Sequence, residues 1–298
     1  MQYQQLGKST LNISRIGFGC MSLKPGQENI QFLVDEAIEK GINYFDTADL
    51  YDKGLNEINI GTALKNKRKN VIIATKGGNE WNADGNGWNW NPSKTYLLKA
   101  VELSLFRLKT DYIDLYQLHG GTIDDAIDET IEAFEQMQQQ GKIRYYGISS
   151  IRPNVIREYV QRSNIVSVMM QYSLLDRRPE ENCLSLLQQN NIGALARGSV
   201  AGGLLAGKPA KAYLDYTEAQ VSMAANAVNA IVSAESNAAN IAIRFVLQHP
   251  AITAAVVGIH TYKQLEDAVR SVNPVPLNEE SMEKLRAIIP ANFYEQHR

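Results

Sequence analysis

Cysteine is nearly absent from this chain: 298 residues hold two, Cys20 and Cys183. Two isolated thiols set no disulfide framework, and a reducing cytosol is the expected compartment. Histidine is almost as scarce. Of the four, His119, His249, His260 and His297, only His119 falls at the end of an expected strand. That spacing excludes a histidine-rich metal centre, so no metal is expected and a metal-dependent barrel hydrolase is set aside. An excess of charge of one sign is also missing. Thirty Lys and Arg against 32 Asp and Glu leave a net charge of −2, which gives no global attraction to nucleic acid or to an anionic bilayer. No apolar run is long enough to span a membrane, and no early segment joins a charged start to a continuous apolar core as a signal peptide would. The expected partners are therefore small molecules, not nucleic acid or membrane, with the chain a monomer or weak homo-oligomer.

What is present is a repeated alternation. Short β-branched and aromatic runs fall at Ile16 to Cys20, Ile42 to Asp46, Val71 to Thr75, Tyr112 to Leu118, Lys142 to Ile148, Ile165 to Met170, Ile192 to Ala196 and Thr253 to Val257. They read as buried parallel strands. Amphipathic stretches separate or follow them: Glu28 to Lys40, Glu57 to Lys65, Ser93 to Leu108, Ile127 to Gln140, Pro153 to Gln161, Pro179 to Asn190, Asn237 to Gln248 and Thr261 to Ser271. Gly41 and Gly141 mark helix ends, and Thr261 with Gln264 has the spacing of a capping box. Eight strand–helix repeats in one chain of this length predict a (β/α)8 barrel, an α/β fold, as a single domain over residues 1–298. Tyr3 to Ser14, turning at Gly7-Lys8, reads as a β-hairpin placed before the barrel. Two long insertions, Gly77 to Asn91 and Lys208 to about Ser236, follow strands and should lie over the carboxyl-end face, where such loops carry function.

Three ionisable residues close three of the apolar runs: Asp46, Lys76 and His119. Tyr51 lies just beyond the first. In a parallel barrel all strand carboxyl ends open on one face, so these four residues can meet. A phenol, an amine, a carboxylate and an imidazole together suit proton transfer to a carbonyl oxygen. Taken singly each has a plain structural reading, from helix cap to satisfied core histidine. A near-match to a nucleotide-binding phosphate loop runs from Gly202 to Lys208, but Pro209 follows where a Ser or Thr would hold Mg2+, and triphosphate hydrolysis is rejected. No Gly-x-Gly-x-x-Gly follows a strand, so the open dinucleotide fold is not expected either.

The flanks of these residues resemble the aldo-keto reductase family. The matching stretches are Phe45 to Tyr51, Ala74 to Lys76, Ser104 to His119, Gly141 to Ser149 and Gln171 to Arg177, in order along most of the chain. The resemblance implies an NADP(H)-dependent oxidoreductase that reduces aldehydes or ketones, with NAD(H) as the alternative cofactor. It assigns Asp46, Tyr51, Lys76 and His119 to catalysis, with Tyr51 as proton donor, Lys76 lowering its pKa and His119 orienting the carbonyl. It implies cofactor contacts from Gly19, Met21 and Asp46, and carboxamide contacts from Ser149, Ser150 and Gln171. Along the pyrophosphate and the nicotinamide it implies Arg197, Gly198, Ser199, Gly203, Leu205 and Lys208. At the adenosine end it implies Gly258, His260, Thr261 and Gln264. The chain departs from the family's pattern at Ser150, where Asn is usual, at Arg197, where many members carry Tyr, at His260, in place of a cation, at Ala268, in place of Asn, and at Gly120-Gly121. The three tryptophans, Trp81, Trp88 and Trp90, all fall in the first insertion and are expected to line the substrate pocket. Two other readings compete: a cofactor-bound redox sensor or regulatory subunit of the same fold, and a barrel aldolase or isomerase using Lys76 as a Schiff-base amine.

Overall fold

The computed structural model describes residues 1–272 and 277–298. Two short antiparallel strands, β1 (Tyr3–Gln5) and β2 (Asn12–Ser14), form the expected hairpin. Then β3 (Ile16–Gly19), α1 (Ile30–Glu39), β4 (Tyr44–Asp46), α2 (Leu55–Leu64) and β5 (Ile72–Gly77) begin the alternation. A second hairpin, β6 (Asn79–Trp81) with β7 (Trp88–Trp90), interrupts it before α3 (Lys94–Leu108). The rest follows as β8 (Ile113–Leu118), α4 (Ile127–Gln139), β9 (Ile143–Ser149), α5 (Pro153–Arg162), β10 (Ser167–Gln171), α6 (Cys183–Gln189), β11 (Gly193–Arg197), α7 (Glu218–Ala230), α8 (Ala238–Leu247), β12 (Ile252–Gly258), α9 (Tyr262–Arg270) and α10 (Glu279–Ala287).

Eight parallel strands, β3, β4, β5 and β8 to β12, close into a barrel in chain order, with β12 pairing back onto β3. All eight expected strands are present within a few residues of their expected bounds. Among the described residues, no helix is long and apolar enough to cross a membrane.

Strand side chains alternate between barrel interior and helix layer. The interior holds Tyr44, Ala74, Leu115, Met169, Leu195, Ala254 and Val256, while Phe45, Ile73 and Tyr116 face the helices. Leu6, Leu11 and Ile13 from the first hairpin pack into the interior set. The hairpin therefore plugs the amino end of the barrel, leaving the carboxyl end open for chemistry. Its turn is tight. Gly7 has φ +52, and a β-carbon there would lie 2.5 Å from the Val166 carbonyl, 2.7 Å from the Gly193 nitrogen and 2.8 Å from the Asn191 carbonyl.

Three features differ from the sequence expectation. The helix expected over Pro179 to Asn190 is split: a single turn at Arg178–Glu180 precedes α6, with Asn182 non-helical between them. The second insertion is organised by α7, which Thr217 and Gln220 open with a capping box. Helix α10 lies beyond the last helix the sequence pattern predicts; Asn278 caps it, and acidic residues in its first turn and basic residues in its last complement the helix dipole. The expected capping box at Thr261 and Gln264 is present on α9.

Gly7→Ala should destabilise the fold by about 2–5 kcal/mol, from left-handed strain plus backbone overlap. Gly26→Ala, at φ +75 but in open space, should cost only the backbone part, about 1–2 kcal/mol. Denaturant unfolding of the two variants measures the difference.

Candidate functional site

The strand register builds the site. Asp46 pairs with Ala74 on β5, so Lys76 stands two residues further along the same face. Lys76 pairs with Gln117 on β8, and His119 lies two residues beyond that. The two-residue period turns Asp46, Lys76, Gln117 and His119 inward above an apolar interior. Lys76 is 1% exposed. Its Nζ lies 2.5 Å from Asp46 Oδ1 and donates to the Thr47 carbonyl at 2.6 Å. Gln117 Nε2 donates to Asp46 Oδ2 at 3.3 Å. Thr47 in turn donates to Asn56 Oδ1, and Asn56 Nδ2 donates to the Cys20 carbonyl, which ties the end of β4 to the loop after β3. Thr47, Asn56 and Gln117 carry no reactive group, and this supporting role was not read from sequence; only the spacing of Gln117 two residues before His119 hinted at it.

Tyr51 follows on a short turn. Asp52 (φ 50), Lys53 (φ 56) and Gly54 (φ 86) then form a left-handed run before α2 begins. The Lys76 ammonium lies 5.2 Å from the Tyr51 ring centre, and the His119 ring meets Tyr51 edge-on at 5.8 Å. The four expected catalytic residues are thus together in one place.

Burial sets the electrostatics. It works against the Lys76 ammonium, but Asp46 and Tyr51 outweigh it and move Lys76 above the ordinary lysine value. It pushes the Tyr51 phenol up, and the pull of Lys76 in the other direction does not compensate. Lys76 does draw on the phenol as expected, but in this buried setting the phenol keeps its proton more firmly than a free tyrosine does. Burial, aided by the charges of Lys76 and Arg197, lowers His119 to about 3. The imidazole is therefore neutral, and its buried Nδ1 has no partner among the described residues. Cys20, which follows the Gly19 that pairs with Asp46, is fully buried, with its thiol raised well above the usual value by burial and by Asp46.

A cleft of about 1520 Å³ opens over these residues. Its wall includes Gly19, Met21, Ser149, Ser150, Arg197, Gly198, Ser199, Gly203, Lys208, Gly258, His260, Thr261 and Gln264 together with Asp46, Tyr51, Lys76 and His119. Three sequence-nominated residues fall outside it. Leu205 is 1% exposed and belongs to the hydrophobic core. Gln171 lies under Gly198 and donates to the Tyr213 hydroxyl at 3.2 Å. Trp81 lines a smaller neighbouring cavity, where Lys53 Nζ sits 5.3 Å from the indole centre. Trp88 and Trp90 do face the cleft. Trp90 packs over Gly78 (φ +125) and Gly120 (φ +140), where a β-carbon would come within 2.9 and 3.1 Å of its ring. Its Nε1 donates to Asp125 at 2.9 Å. Gly120 is thus explained by the tryptophan it admits.

The cleft wall fits an elongated anionic cofactor. Gly198, Gly202, Gly203 and Gly207 all have positive φ, and a β-carbon at Gly202 or Gly207 would meet nothing within 4 Å. The Gly203 amide donates within the loop to the Val200 carbonyl, while those of Gly202 and Gly207 make no hydrogen bond among the described residues and suit a phosphate at close range. The Ser199 hydroxyl is buried and has no partner among the described residues. At the far end, Gln264 Oε1 accepts from the amides of His260 and Thr261 and fixes the loop into α9.

Lys76→Met should destabilise the protein by about 3–5 kcal/mol, because it strands the Asp46 charge in the interior. The Asp46→Asn, Lys76→Met double variant should recover part of that loss, as read by chemical denaturation. Nitrogen NMR of His119 should show a neutral ring throughout pH 5–8. Protonation is confined to pH near 3 in the folded state but begins near 6.5 in the unfolded one, so this group makes stability fall as pH drops through that interval.

Comparison with known proteins places the chain. The model of the aldo/keto reductase family matches residues 15–290. An uncharacterised oxidoreductase of Bacillus subtilis, YqkF, is 49% identical over the full length of both proteins. The solved structure of aldo-keto reductase AKR11C1 from Bacillus halodurans superposes with a TM-score of 0.95 in its holo form, at 48% identity over 100% of this chain and 99% of that one. The apo form of the same enzyme gives 0.86, at 46% identity and the same coverage. The chain belongs to the aldo/keto reductase family and is an NAD(P)H-dependent oxidoreductase.

Proposed function

We propose that this protein reduces aldehydes or ketones to alcohols with NADP(H), and that Tyr51 is the proton donor. The observation that carries the reading is the convergence of the Tyr51 phenol, the Lys76 ammonium and a neutral His119 at the floor of one cleft. Bound nicotinamide supplies the hydride. Tyr51 delivers a proton to the carbonyl oxygen as negative charge builds there. Lys76, held by Asp46, stabilises the phenolate left behind. His119, being neutral, donates one hydrogen bond to the same oxygen and adds no competing acid. Trp88 and Trp90 give the substrate side an aromatic wall. Lys76 is a poor Schiff-base amine here, because Asp46 favours its protonated form.

NADP(H) is favoured over NAD(H) because His260 and Lys263 line the adenosine end of the cleft at the start of α9, where a helix amino terminus suits a phosphate. Lys263 is paired with Asp267 at 2.9 Å, and that pairing keeps NAD(H) as the alternative. Names of relatives span both choices: a Schizosaccharomyces pombe aldo-keto reductase is named for NADP(+), and an Escherichia coli methylglyoxal reductase is named NADH-specific.

Oxidation of NADPH by a panel of aldehydes, run beside NADH, tests the proposal. Tyr51→Phe should lose roughly 10²–10⁴-fold in kcat while still binding cofactor; a loss of only a few fold would remove Tyr51 as donor. Tight cofactor binding with no turnover of any aldehyde would favour the sensor reading. Arg197 bears on the charge of Asp46, Tyr51 and His119, so it should disfavour the cationic oxidised ring. Arg197→Tyr should tighten oxidised relative to reduced cofactor by about three- to tenfold, of the order expected for one partly screened charge; equal affinities before and after, by fluorescence titration, would refute it.

A further inference from the structure

The cleft carries a cation that the reaction above does not use. Arg152 follows the Ser149-Ser150 pair in sequence and lines the cleft together with Gly120, Gly121, Thr122 and Trp90. These residues come from the loops after β5, β8 and β9, whereas the glycine loop that suits the cofactor phosphates follows β11. One guanidinium nitrogen of Arg152 donates to the Gly121 carbonyl. Gly121 has φ +118, a conformation that a side chain rarely adopts. The Gly120-Gly121 departure from the family's pattern therefore also sets the acceptor that holds Arg152.

Among the described residues, no carboxylate comes within ion-pair distance of this guanidinium. The nearby acid is already engaged. Asp125 accepts from Trp90 Nε1 at 2.9 Å, from the Thr122 hydroxyl at 2.7 Å and from the Thr122 amide at 2.7 Å. A guanidinium carries five N–H donors in a planar fork. Arg152 lines the cleft and gives one nitrogen to a neutral carbonyl, and its other guanidinium nitrogens make no hydrogen bond among the described residues. A planar cation with free donors matches a carboxylate, which it can grip through two parallel hydrogen bonds.

We propose that Arg152 is a specificity residue for anionic carbonyl compounds, and that the preferred substrates are oxo acids bearing a carboxylate a few bonds from the reacting carbonyl. The proposal rests on the reductase reading above, because it takes Tyr51 and His119 as the place where the carbonyl sits. Gly121 is two residues from His119, and two residues span at most about 7 Å. The guanidinium is thus anchored on the loop that carries His119, and short-chain oxo acids are the substrates to try.

Matched pairs of aldehydes test this: 4-oxobutanoate against butanal, and 5-oxopentanoate against pentanal, with NADPH and full-length protein. The wild type should favour the oxo acid in kcat/KM by about ten- to a hundredfold, the range of one charge-assisted contact. In Arg152→Gln that ratio should collapse toward one, mostly through KM, and Arg152→Lys should restore part of it. A denaturation midpoint close to wild type would show that Arg152→Gln folds. If the wild type prefers the uncharged aldehydes, or if Arg152→Gln lowers both members of a pair equally, the specificity role is overturned while the reductase reading stands. If no aldehyde of either kind is turned over, the reductase reading fails and this inference falls with it.

Discussion

The buried contact between Lys76 and Asp46 is the constraint around which the site is built. Placing an ammonium almost wholly out of water is costly, and the structure offsets that cost with a carboxylate at 2.5 Å and a backbone carbonyl at 2.6 Å. Both partners sit on adjacent strands whose register is fixed by the barrel. A shift of β4 or β5 by one residue would turn one of them into the helix layer. The barrel's closure and its chemistry are thus coupled: the sheet geometry that buries Tyr44 and Ala74 is the geometry that aims Asp46 and Lys76. Tyr51 and His119 then pack against an ammonium whose position has little freedom.

The barrel was legible because buried parallel strands are written as continuous apolar runs, and the eight runs were distinct. Site residues on those strands were legible for the same reason: a polar residue ending an apolar run stands out. What the sequence did not show were features decided by tertiary contact. The β6–β7 hairpin is polar and glycine-rich, and its pairing of Trp81 with Trp88 follows from the loop folding over the cleft. The break before α6 depends on the local conformation of Asn182. The signs of α10 were present in its cap and its end charges but lay past the last expected helix.

The cofactor-side nominations show where family resemblance stops. In the loop from Gly198 to Lys208 it names Gly198, Ser199, Gly203 and Lys208, which line the cleft, and Leu205, which does not. Leu205 turns into the core, and Gln171 is engaged by Tyr213 from the second insertion. Trp81 and Trp90 differ in a similar way. Both are aromatic and in the same hairpin, yet two glycines admit Trp90 to the cleft while Trp81 closes a separate hollow with Lys53.

The placement of Cys20 has a consequence for durability. Carbonyl electrophiles drawn into the cleft of such an enzyme would alkylate a nearby thiolate. Here the one thiol close to the Asp46–Lys76 pair, that of Cys20, is fully buried and not part of the cleft wall, and burial beside Asp46 suppresses its ionisation. The second thiol, Cys183, is also buried, and burial raises it to about 11. Neither thiol is both ionised and within reach, so an aldehyde or oxidant entering the cleft would meet no reactive cysteine there.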